Sequence, residues 1–155
     1  MYNLSRLSVC LLVSIALVSC ATPGPQPTDA PTGSYKYDAW RLNNSGDSGA
    51  INVLLDEADK LIENNELNAA TDKLERVLRI KPEYAPAWSR LSWVALQADS
   101  PGRSVQMAKR SNSFAYSDPE LQLLNWTFIR SASQLLNDED TYNFADQKIN
   151  SLKSF

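Results

Sequence analysis

From residue 48 onward, apolar side chains recur every three or four residues, the period of a helix that buries one face. Leu54, Leu55, Ala58, Leu61 and Ile62 mark the first such face, and Ala70, Leu74 and Val77 the second. Tyr84, Trp88, Leu91, Ala95 and Ala98 form a third stripe. Ser104, Ala108 and Ser111 make a stripe of small residues, and Leu121, Leu124, Phe128, Leu135 and Leu136 another apolar one. A last helix over 141–152 carries Tyr142, Ala145, Ile149 and Leu152.

Turn-forming residues separate these stripes: Asn64-Asn65-Glu66, then Asp99-Ser100-Pro101-Gly102, then Asn137-Asp138-Glu139-Asp140. Proline lacks the N–H, so Pro82 closes the second helix. Ser100-Pro101 and Asp118-Pro119 each read as an N-cap followed by proline in the first helical position. Asp72/Arg76 and Glu75/Arg79 stand at the i,i+4 spacing of surface ion pairs. The pattern predicts an all-α domain over 48–152, built from three helical hairpins in succession.

The first hairpin is specific in its spacing. Ile51 to Pro82 resembles one tetratricopeptide repeat (TPR), a helix–turn–helix unit of about 34 residues. Ala58 stands at the small position of the first helix. Ala70, Leu74 and Val77 follow the A-x3-F-x2-A spacing of the second, and Pro82 ends it. Leu54, Glu57 and Leu61 replace the family's Trp, Leu and Tyr. Trp88 and Leu91 match the W-x2-L pair of the next repeat, with Ser92 at its small position, and Trp126 and Ile129 echo the pair in the third. The resemblance implies a short TPR-like solenoid, in which no hairpin can bury its apolar face without a neighbour.

It also implies a groove lined by the first helix of each hairpin. The groove positions carried over by alignment are Asn52, Leu55, Asp59, Ile62 and Glu63 in the first repeat. In the second they are Ser89, Trp93, Leu96 and Gln97, and in the third Thr127, Ser131 and Gln134. Trp93 lies opposite the Trp88–Leu91–Ala95 stripe on a helical projection. Two readings follow: burial against the neighbouring hairpin, or an aromatic anchor for a partner.

The N-terminus is of a different kind. Arg6 is followed by an apolar run, Leu7 to Val18, that is shorter than the about 20 residues a bilayer span needs. Leu17-Val18-Ser19-Cys20 resembles the bacterial lipobox, which implies removal of residues 1–19 and acylation of Cys20. Cys10 would leave with the signal, so no disulfide forms within one mature chain. Ala21 follows, where inner-membrane lipoproteins typically have Asp. The resemblance therefore implies an outer-membrane anchor facing the periplasm.

Residues 20–47 contain Pro23, Pro25, Pro27 and Pro31 among Thr, Gly and Ser, a composition that predicts a flexible or extended tether. If fully polyproline-like, the stretch from Ala21 to Asp47 would reach about 80 Å, at about 3.1 Å per residue. Tyr35, Tyr37 and Trp40 interrupt it. They read either as an arm packed on the first helix or as a short patch that docks on a partner.

Composition narrows the chemistry. The chain has 155 residues, no histidine and a net charge of −3, a balance that argues against nucleic-acid binding. Without histidine there is no Ser–His or Cys–His couple and no zinc-ligand set. The five glycines are scattered, so no phosphate loop is present. Asp138, Glu139 and Asp140 lack the alternating ligands and central glycine of a calcium loop and read as helix-capping residues. The sequence therefore predicts no enzyme, no cofactor and no metal.

The overall plan resembles the small TPR lipoproteins of gammaproteobacteria that activate a class A penicillin-binding protein, a peptidoglycan synthase. The carrying features are the lipobox, the Pro-rich tether, the run LERVLRIKP, the Trp88 hairpin and the stretch Leu124 to Ala132. A pilotin-like or scaffold lipoprotein of an outer-membrane secretion or pilus complex shares the anchor and the fold, and is the alternative.

Overall fold

The computed structural model describes residues 37–42 and 47–154. The expected signal, Cys20, Tyr35 and most of the expected tether lie outside these residues. A 3-10 helix, Tyr37–Trp40, comes first. Six α-helices follow: α1 (Asp47–Glu63), α2 (Leu67–Ile80), α3 (Ala85–Gln97), α4 (Pro101–Phe114), α5 (Pro119–Leu136) and α6 (Glu139–Lys153). They pair as three hairpins, α1/α2, α3/α4 and α5/α6, and adjacent hairpins stack through α2–α3, α4–α5 and α3–α5 contacts. The domain is an all-α, TPR-like solenoid.

Each hairpin turns through one residue in the left-handed region: Asn65 (φ 60°), Asp99 (φ 51°) and Asn137 (φ 54°). Asn and Asp tolerate this conformation because their short polar side chains bond locally. Asn65 and Asp99 are 34 residues apart, and Asp99 and Asn137 are 38 apart. The wider spacing is taken up by α5, which has 18 residues against 13 in α3 and runs directly up to Asn137, whereas Ala98 stands between α3 and Asp99.

Helix ends follow the proline signals. α2 stops at Ile80 before Pro82, and α3, α4 and α5 each have proline in their first two positions. Asp118 caps α5 by accepting from the Leu121 amide at 2.9 Å. Asp138 caps α6 by accepting from the Thr141 amide at 3.0 Å, which starts that helix at Glu139 rather than at 141. Ser100 departs from expectation. Its hydroxyl donates backwards to the Ala98 carbonyl at 3.3 Å and caps nothing. Glu75, expected beside Arg79, reaches Arg103 of α4 at 3.8 Å.

Packing differs between the hairpins. Ala58 and Ala70 are fully buried and allow α1 and α2 to approach closely, while Leu55, Leu74 and Val77 fill the space toward Ala87, Leu91 and Val94 of α3. Leu55 and Leu74, completely removed from solvent, each stabilise the fold by about 2 kcal/mol. Between α3 and α4 the small residues are serines, and their hydroxyls are paired. Ser92 donates to the Ser104 carbonyl and lies 2.9 Å from the Ser104 hydroxyl. Ser111 donates to the Ala85 carbonyl at 2.8 Å and accepts from Asn125 of α5 at 2.8 Å. A second apolar cluster joins Trp93 of α3 to Ala108, Phe128, Ile129 and Ala145.

Candidate protein-binding face

The first helices of the three hairpins, α1, α3 and α5, supply the face on which the groove residues were placed. Asn52 and Asp59 are seven residues apart, two turns of α1, so they point the same way. Ser89 and Trp93 are one turn apart on α3. Across this face runs the arm Tyr37–Leu42, the described end of the expected tether. These six residues are not extended linker; they are folded onto all three hairpins.

The arm is held mostly through polar contacts. The Leu42 amide donates to Asn52 Oδ1 at 3.1 Å, and Asn52 Nδ2 donates to the Leu42 carbonyl at 2.7 Å. Asn52 thus satisfies an arm residue as a neighbouring strand would. Arg41 donates to the Asn52 carbonyl at 3.2 Å, pairs with Asp56, and reaches Asp59 at 3.4 Å. Trp40 Nε1 donates to Asp118 Oδ2 at 2.6 Å, so one carboxylate both caps α5 and holds the arm. The Trp40 ring packs beside Ala85, Ala115 and Leu121. The Tyr84 hydroxyl donates to the Trp40 carbonyl, and burial raises that phenol above its ordinary pKa.

Beneath Tyr37 lies the most unusual side chain of the domain. Arg90 is fully buried, a state arginine adopts almost only when paired. Its Nε and Nη2 donate to the two oxygens of Asp59 at 2.8 and 3.0 Å, and Nη1 donates to the Pro86 carbonyl at 3.3 Å. The fork-to-carboxylate geometry is the strongest available to a side-chain pair. The guanidinium carbon lies 4.0 Å from the centre of the Tyr37 ring. Tyr37 is itself buried, with its hydroxyl 3.3 Å from Ser89 Oγ. The Tyr37 ring of the arm thus covers the guanidinium of this charged pair.

Further along the same face the chemistry turns apolar. Trp93 is 4% exposed and stacks on Phe128 of α5, with ring centres 5.6 Å apart and planes at 25°. Ile62 and Leu96 pack against the same cluster. Of the two readings open for Trp93, this is burial between hairpins. Leu55 is likewise a core residue, and Ser131 is buried. These three do not project into an open groove, because α3 packs directly on α5 and the α1/α2 core closes over Leu55. Thr127 donates to the Leu123 carbonyl within its own helix at 2.9 Å. Glu63, Gln97 and Gln134 are exposed at the far ends of their helices. The structure thus brings Asn52, Asp59 and Ser89 together under the arm, and leaves Gln97 and Gln134 apart from them.

Arg41, Tyr84, Arg90 and Asp118 belong to this arrangement and were missed in the sequence. An arginine in a helix reads as solvent-facing. The only signal available was its place one residue before Leu91, inside a stretch otherwise free of charge from Ala85 to Ala98. Away from this face, a recess of about 260 Å³ is lined by Ser133, Gln134, Asn137, Asp138, Glu139 and Tyr142. Among the described residues no cluster of His, Cys, Asp and Glu could hold a metal, and no helix is long and apolar enough to cross a membrane.

Comparison with known proteins agrees with the fold. A TPR repeat-containing protein of Rhizobium etli is 46% identical over 48 residues, 31% of this chain and 23% of the relative. The chain therefore matches less than a quarter of that relative's length. No protein-family model and no solved structure matches the chain. The likeness is to TPR repeats. Stacks of such hairpins are typically scaffolds for protein–protein interaction rather than catalysts.

Proposed function

We propose that this chain is an outer-membrane lipoprotein, acylated at Cys20, whose TPR-like module docks on a periplasmic protein and activates it. The partner we assign is a class A penicillin-binding protein. The observation that carries the protein-binding part is the face of α1, α3 and α5, which already holds a peptide segment through side-chain hydrogen bonds and an ion pair. The anchor and the partner rest on the sequence: the lipobox ending in Cys20, the Pro-rich segment after it, and the resemblance in plan to TPR lipoprotein activators. In this reading the tether carries the module away from its membrane to the synthase, and docking favours the synthase's active conformation.

Two experiments test it. Cys20→Ala should move the protein from the membrane fraction to the soluble periplasm; unchanged membrane association would remove the lipid anchor from the reading. The full chain, used as bait in envelope extract, should recover a class A synthase and raise its glycan polymerisation rate when the two are mixed. Recovery of a secretin or pilus subunit without a synthase would overturn the activator reading in favour of a pilotin-like scaffold.

A further inference from the structure

We infer that Tyr37–Leu42 is an internal stand-in for the module's ligand, so that the α1/α3/α5 face binds a partner segment with an aromatic residue, then a tryptophan three residues on, then an arginine. The arm must leave before that segment can bind. This rests on the reading of the module as a protein-binding domain.

Charge is the first argument. Besides Asp59, which is paired with Arg90, the walls of the face present the carboxylates of Asp56 and Asp118, and the arm answers them with the Arg41 guanidinium and the Trp40 indole N–H. A ligand for this face must therefore bring donors, and a basic residue beside an indole supplies both. The floor is the second argument. Arg90 is paired with Asp59 and covered by an aromatic ring, so the site suits a flat π-face at that point. Backbone pairing is the third. Asn52 bonds both the amide and the carbonyl of Leu42, a contact any residue except proline could make. Recognition thus combines sequence-neutral main-chain bonds with two aromatic seats and one basic seat.

The arm is also suited to exchange. It contributes one turn of 3-10 helix and two further residues, and Asp56 and Trp40 remain partly in contact with solvent. Its removal would uncover Arg90, Asp59 and Ser89 without opening the Trp93–Phe128 cluster, which is sealed by helix packing. The face can therefore empty and refill while the solenoid stays intact.

The test uses the full chain and a fluorescein-labelled peptide of residues 36–43. The peptide is titrated into wild type and into the Tyr37→Ala/Trp40→Ala variant, with anisotropy as the readout. Binding at least ten-fold tighter to the variant is expected, because the competing arm has lost its anchors. The same peptide with both aromatics changed to alanine should not bind. Equal affinity for both chains, or no binding to a variant whose circular dichroism and melting remain cooperative, would overturn the proposal. Should the variant fail to fold, hydrogen exchange on wild type decides. Saturating peptide is expected to speed exchange of the Leu42 amide about ten-fold and leave α3 amides unchanged; an unaffected Leu42 amide overturns the proposal. A concentration-dependent dimer of wild type that the peptide dissociates would assign the face to a second copy and also overturn it. Synthase capture that is equal for wild type and the arm variant, with Leu42 undisturbed, would leave the proposed function standing and remove the groove. Peptide exchange without synthase capture would do the reverse.

Discussion

Two halves of one helical face end in opposite ways. At Ser89 the face is polar, roofed by the arm and built on the Arg90–Asp59 pair. One turn later, at Trp93, it is dry and closed by Phe128. Both halves are almost inaccessible to solvent, yet for different reasons. Trp93 is buried by a helix that cannot leave without unfolding the stack. Ser89 and Arg90 lie under the six-residue arm, whose exchange we propose above. Burial alone does not distinguish core from binding surface; the identity of the covering segment does.

The sharpest way to break this contrast is in the apolar half. Phe128→Ala should destabilise the domain by about 3–5 kcal/mol, since the ring is fully buried and α3 cannot follow it into the gap. Urea unfolding would show this, together with loss of Trp93 near-ultraviolet dichroism. Asp59→Asn tests the polar half. It leaves the Arg90 guanidinium buried with a neutral partner, and a loss of about 3 kcal/mol is expected, at the low end for a broken buried pair because Asp59 is itself partly exposed. A loss below about 1 kcal/mol would mean that water reaches Arg90 easily.

Asp118→Ala is a smaller perturbation that joins the halves. It removes the α5 cap, worth about 1 kcal/mol, and also the acceptor for Trp40. The Trp40 indole N–H resonance should shift while that of Trp93 stays in place; coupled shifts would show that the arm and the seam are one unit. The smallest effect is a pH dependence outside both halves. The Thr141 hydroxyl and amide hold the Asp138 carboxyl below its usual value. A depressed folded-state value stabilises the fold above the ordinary aspartate range and is lost as pH falls through the folded value. The melting-temperature advantage of wild type over Asp138→Ala should therefore be present at pH 7 and shrink toward pH 3.

The repeat was legible because its signals are local. Ala58, Ala70, Val77 and Pro82 announce a close helix pair within 25 residues, and Pro86, Pro101 and Pro119 mark helix starts. The character of the face was not legible, because it depends on distant partners. Trp93 could be assigned only once α5 was in place, 35 residues along. Arg90 is rendered tolerable by Asp59, 31 residues earlier, and by Tyr37, 53 residues earlier. Tyr37 and Trp40 form too short a segment for periodicity to speak, and their fit to the face is a matter of shape.

Only residues 43–46 separate Leu42 from the start of α1. So short a connection gives the arm an effective concentration at its own site of about millimolar. A free peptide at micromolar concentration, however well matched, competes against a rival that is always nearby. A partner gains entry by holding the module at a second point, so that its own segment is delivered at comparable local concentration. Avidity, rather than affinity for any single stretch, then decides which proteins this module engages.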